Sequence, residues 1–109
     1  MLVLKVNAER PALEFTQGDG TTTRWEYDVI LIKLEMERLD EKHSLRDGDK
    51  LKKPTAAYLA DLCEALLALG MPVCTLDLAL RMHSLVTVQF LQLSSSIRGQ
   101  VYAIKEASE

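Results

Sequence analysis

At 109 residues and 12.2 kDa the chain has the length of one domain, enough to form a core without metal or disulfide staples. A composition of 48% hydrophobic and 27% charged residues is that of a folded globular protein and excludes disorder as the default state. The net charge of −3 argues against a general polyanion binder, because nucleic-acid affinity comes largely from neutralised phosphates.

The opening MLVLKVNAERP mixes acidic and basic residues and has no long apolar region, so it does not read as a signal peptide, and a cytoplasmic location is expected. Leu2, Leu4 and Val6 alternate with Val3 and Lys5, which predicts a half-buried strand. Asn7 to Pro11 reads as a turn. Leu13 and Phe15 then alternate with Ala12, Glu14 and Thr16 as a second strand. Gln17-Gly18-Asp19-Gly20 supplies a hairpin loop, and Thr21 to Tyr27 is the third strand, with Thr23, Trp25 and Tyr27 on one face. Residues 1–27 are thus expected to form a three-stranded antiparallel meander that needs a helix on its apolar side.

The helix expected over 28–43 begins at Asp28, a residue suited to capping. Val29, Ile32, Met36 and Leu39 recur at helical spacing as the buried stripe, with Ile30, Leu31 and Leu34 widening it toward a second layer. Lys33, Glu37, Arg38, Glu41 and Lys42 mark the expected wet side, with Lys33 and Glu37 at i,i+4. Residues 44–54 (SLRDGDKLKKP) read as a surface loop. It is locally basic through Arg46, Lys50, Lys52 and Lys53, and such charge runs are usually solvated faces.

Residues 55–97 read as a helical hairpin. Thr55 caps its first helix, whose buried face is expected at Leu59, Leu62, Cys63, Leu66 and Leu69. Gly70 has the place of a left-handed C′ glycine, and Pro72 prevents continuation. Cys63 and Cys74 could bridge across this hairpin, but the compartment predicts reduced, buried, alanine-like residues. The spacing C-x10-C-x8-H to His83 matches no tight zinc pattern, so neither a metal nor another cofactor is expected.

Thr75 caps the second, long helix, with Asp77 in its first turn and Arg81 one turn on. Leu85 to Leu93 is rich in β-branched residues and would pass as a strand, but a capped start without a turn signal favours helix. Between Arg81 and Arg98 no side chain carries a formal charge, and the apolar residues cover most of the circumference. Such a helix must be buried in a core, a membrane or a partner. His83, Ser84, Thr87, Gln89 and Gln92 make it too polar for a membrane span. Residues 98–109, ending KEASE, are expected to be a mobile tail.

A catalytic reading finds little to use. His43 ends a charged helix, His83 lies within the apolar one, and no Ser or Cys stands in a motif with a His and an acid. Gly18-Asp19-Gly20 opens a strand and cannot place a phosphate on a helix N-terminus. A helix-turn-helix reading fares badly as well, because the second helix would lead with Asp77 among leucines.

With the layout assembled, PTAAYLADLCEALLALGMPVCTLDLALRM, preceded by the strand-rich MLVLKVNAERPALEF, resembles the small phage tail assembly chaperones. The resemblance implies a non-catalytic, oligomer-forming protein that binds a tail structural protein, often the tape measure, and keeps apolar helices soluble. The short C-terminus departs from members with long extensions.

The expectation is therefore an α+β protein, a three-stranded meander packed against three helices, acting as an assembly chaperone or adaptor. A small DNA-associated regulator is the alternative. Partner contact, by another protein or a second copy, is expected through Val86, Val88, Phe90, Leu91, Leu93 and Ile97, because the helices available to pair with this segment have run out.

Overall fold

The computed structural model describes residues 11–16 and 18–107. The strand expected over residues 2–6 lies outside the described residues. Two strands, β1 (Ala12–Thr16) and β2 (Thr22–Glu26), pair antiparallel, with Leu13 opposite Trp25 and Phe15 opposite Thr23. Gly20, at φ +86°, serves the turn, and Asp19 braces it by accepting from the Thr21 backbone N–H at 3.0 Å. Phe15, Trp25 and Tyr27 are buried on the expected face. Tyr27 also donates its hydroxyl to Gln89 Oε1 at 3.0 Å, which latches the hairpin to a helix far along the chain.

Helix α1 (Val29–Lys42) starts where Asp28 accepts from the Ile30 N–H at 2.9 Å. It is the central helix: α2 (Ala56–Ala68), α3 (Leu76–Leu91) and α4 (Ser95–Ala107) all pack on it. That corrects the expected wet side in part, since Arg38, Glu41 and Lys42 are exposed as expected. Lys33 and Glu37 are buried, because a helix wrapped by three others has little circumference left for water. The expected surface loop 44–54 is also more structured than its composition suggests. Leu45 plugs the core, and β3 (Arg46–Asp47) and β4 (Lys50–Leu51) form a small hairpin turning at Gly48, φ +62°.

Thr55 caps α2 through the Tyr58 N–H. The buried face is Tyr58, Leu59, Leu62 and Leu66. Tyr58 was not among the expected core residues; Cys63 is only partly buried, and Leu69 is exposed as the C-cap residue. Gly70 takes φ +105°, and the turn closes with Met71 N–H to Leu66 O at 3.0 Å and Gly70 N–H to Leu67 O at 3.1 Å. That pair of bonds is a Schellman motif, which only a residue at ease with positive φ completes without strain.

Thr75 caps α3 by accepting from the Leu78 N–H at 3.2 Å. The segment Leu85–Leu93 is helical through Leu91, but the helix does not run on to Ile97. Its end tightens, with Leu93 N–H bonding Phe90 O, and Ser94 then caps a new helix by accepting from the Ile97 N–H at 3.3 Å. The expected mobile tail is thus largely α4, which docks on α1 through the fully buried Val101. The architecture is α+β, with four helices and two small antiparallel strand pairs among the described residues.

Candidate interaction surface

The apolar residues of α3 divide between two opposite faces. Ala79, Met82, Val86 and Phe90 recur at three- and four-residue steps and are buried, the first three in the main core with α1 and α2 and Phe90 between α1 and α4. On the outward side Leu76, Leu80, Val88 and Leu91 are 45%, 44%, 54% and 62% exposed, with the small, exposed Ser84 at the centre of the row. Thr87, beside this row, donates its hydroxyl to the His83 carbonyl at 2.7 Å, so its polar atom is engaged within the helix. No formally charged side chain follows Arg81 on the helix. The result is an apolar stripe about four turns long, open to solvent, with the exposed Asp77 and Arg81 beside its first half and no charge beside its second.

The six candidate contact residues separate accordingly. Val88 and Leu91 belong to the open stripe. Val86 and Phe90 belong to the chain's own core, at 0% and 3% exposure, which corrects their expected place at a partner interface. Phe90 packs with Ile30 and Val101, its ring edge-on to Tyr102 at 6.0 Å between centroids and 5.0 Å below the Lys33 amino group. Leu93 and Ile97 are partly buried against the same cluster. The residues that extend the stripe, Leu76 and Leu80, were missed. Their i,i+4 spacing, in one row with Ser84 and Val88, was the available signal.

A second concentration of chemistry lies under α1. Glu37, nearly inaccessible, lies 3.2 Å from Lys33 Nζ and takes two bonds from Arg46, at 3.1 and 2.9 Å. Asp40 is buried beside them, and burial followed by the charge of Glu37 raises its pKa. Tyr58 stands between His43 and His83, with ring centroids 5.8 and 5.6 Å away, and its pKa is raised by burial and then by Asp40. His83, half-buried, has its pKa lowered by burial and then by Lys33. On the outside Asp61 accepts from Lys42 and pairs with His43 at 2.7 Å, which holds its carboxyl below the usual range. An open cavity of about 360 Å³, lined by Glu37, Asp40, Glu41, Ser44 and Arg46, adjoins the cluster. The charges here are matched within the cluster, and their geometry joins three segments of the fold: α1, the β3–β4 hairpin and α2.

The basic residues of the hairpin do not build a one-signed patch. Lys50, Lys52 and Lys53 are exposed, but Asp47 and Asp49 are exposed beside them. Among the described residues no group of three or more His, Cys, Asp or Glu is placed to hold a metal ion, and no helix is long and apolar enough to cross a membrane. No protein-family model, curated protein or solved structure matches this chain.

Proposed function

We propose that the protein is a non-catalytic interaction module of the cytoplasm, an assembly chaperone or adaptor that binds an apolar helix of another chain along the outward face of α3. The observation that carries this reading is the open apolar stripe Leu76–Leu80–Val88–Leu91, which has no charged residue after Arg81. Large apolar residues scattered singly on a surface are ordinary, but a row at helical spacing, with a small residue at its centre, has the form an apolar helix packs against. The resemblance to phage tail assembly chaperones makes a tail structural protein the partner of choice and adds self-association as a property. The same reading includes a third strand, residues 2–6, on the edge of β1 away from β2, which would complete the meander.

The test is sedimentation velocity of the protein alone and mixed with an apolar helical segment of a tail tape-measure protein. Wild type should form a larger species that holds the segment in solution. Leu80→Glu/Leu91→Glu should keep its circular dichroism and lose that species, because charge is placed where an apolar helix must dock. Equal binding by the double variant would remove the α3 face from consideration.

A further inference from the structure

Away from the α3 stripe, one pair of reactive side chains stands in contact. Cys63 on α2 and Cys74 in the linker before α3 are free, partly exposed thiols with sulfurs 3.0 Å apart, the Cys74 S–H donating to Cys63 Sγ. Both sulfurs also touch one backbone atom, the Thr75 carbonyl oxygen, at 3.2 Å from Cys63 and 3.5 Å from Cys74. That carbonyl accepts the first hydrogen bond of α3, from the Ala79 N–H at 2.9 Å. The two thiols therefore sit on the joint where the Gly70 turn hands the chain to α3, and the residues between them are the last turn of α2 and the Gly70 turn.

We propose that Cys63 and Cys74 form a modification site at which oxidised glutathione, or another small disulfide, installs an internal disulfide tying α2 to the start of α3. The proposal stands on the position of the sulfurs and does not depend on what binds α3. Cys63 gives up its proton to solvent, and its thiolate attacks one sulfur of oxidised glutathione. The glutathione S–S bond breaks, and one glutathione departs and takes up a proton. Cys74 then loses its proton and attacks Cys63 Sγ. The mixed disulfide breaks, and the second glutathione departs and is protonated in turn. Two protein thiols lose two electrons, which reduce one oxidised glutathione to two reduced molecules, so the step is reversed by excess reduced glutathione.

The order of attack follows from the surroundings. Cys74 is the donor of the pair, and its thiol is pushed up to about 12 by burial, then by its hydrogen bond and charge interaction with Cys63. It is the poorer nucleophile while Cys63 is free. Once Cys63 is a neutral mixed disulfide, two of those three causes are gone, and Cys74 is released to resolve it at contact distance. Little backbone movement is required, because the sulfurs already touch.

The experiment titrates the full chain through a series of reduced-to-oxidised glutathione ratios, traps thiols with N-ethylmaleimide, and reads intact mass, the cross-linked peptide and Tm. The expected product is lighter by two hydrogens, joins Cys63 to Cys74, and melts roughly 10 °C higher, because the closed loop restrains the unfolded chain. Cys74→Ser should stop at a glutathione adduct on Cys63, and Cys63→Ser should react with oxidised glutathione several-fold more slowly than wild type. Accumulation of glutathione adducts in wild type without the internal bond would overturn the proposal, as would an internal bond that lowers Tm. The wild-type readout needs no substitution, so a poorly folding variant does not blunt the test.

Discussion

Phe90 separates two accounts of α3, and its truncation measures which one governs the molecule. In the structure its ring fills the small cluster formed with Ile30 and Val101, covered by Val29, Leu34, Leu93 and Ile97. Phe90→Ala removes that ring and leaves a cavity; Phe-to-Ala losses in cores run at about 3–5 kcal/mol. This site can collapse in part, since it lies under one helix, α4, that is free to settle inward, so the lower end applies. Loss of the Lys33 ammonium over the ring adds about 0.5–1 kcal/mol. A total of about 3–4 kcal/mol is a large share of the stability expected for a domain of this size, about 5–15 kcal/mol. Urea unfolding should show a lower midpoint at unchanged m, and amide exchange should show α4 losing protection before α1 and α2, because Phe90 and Val101 bridge it to the rest. If the unfolding free energy falls by less than about 1 kcal/mol, α4 amides stay protected and only the sedimenting mass falls, Phe90 faces a partner and the core assignment is wrong.

Three further outcomes follow from the same geometry. Gly70→Ala should cost about 1–2 kcal/mol and lower Tm by roughly 5–10 °C, almost all of it backbone strain at φ +105°, since the new Cβ would meet only the Trp25 indole, at an ordinary 3.4 Å from Nε1 and 3.9 Å from Cδ1; an unchanged Tm would show that the Schellman turn tolerates a side chain. Glu37→Leu should destabilise by about 3 kcal/mol or more because it strands Lys33, whose side chain is only 9% exposed, whereas Lys33→Met/Glu37→Leu should return close to wild type; a urea double-mutant cycle checks the coupling. His83, with its pKa lowered in the fold, contributes stability that is present above its unfolded pKa of about 6.5 and lost as pH falls below it. His83→Gln should therefore lose less Tm than wild type on acidification, and the difference between the two isolates this residue from Asp40, whose raised pKa acts in the opposite sense.

Where a structural decision rests on neighbours in sequence, it was readable. Asp28, Thr55 and Thr75 each cap a helix by a side chain accepting from a backbone N–H two or three residues on, and Gly70 takes the positive φ its place before Pro72 demands. The alternation that buries Phe15, Trp25 and Tyr27 is likewise local. Burial of polar residues is not. Lys33 and Glu37 at i,i+4 look like an ordinary solvated pair, and only the return of Arg46 from the hairpin and the passage of Phe90 over Lys33 enclose them. Tyr58 was missed for the same reason, since its ring is covered by His43 and His83 from separate elements.

The end of α3 shows how one misplaced boundary redirects a functional argument. Nothing between Val86 and Leu93 stops a helix, so the apolar density alone carries the prediction on to Ile97 and leaves Phe90 in search of a partner. Ser94 was the missed boundary: its hydroxyl accepts from the Ile97 N–H, and its carbonyl accepts the first bond of α4 from Arg98. Read from that cap, Ile97, Val101 and Ile104 recur at steps of four and three, the stripe of an amphipathic helix rather than a tail. With α4 in place, the partner for Phe90 is inside the chain. The surplus of apolar surface survives the correction but moves around the helix to Leu76, Leu80, Val88 and Leu91, where no element among the described residues covers it. Hydrophobic composition thus measures how much surface needs covering, and caps and breaks decide which of it the chain covers by itself.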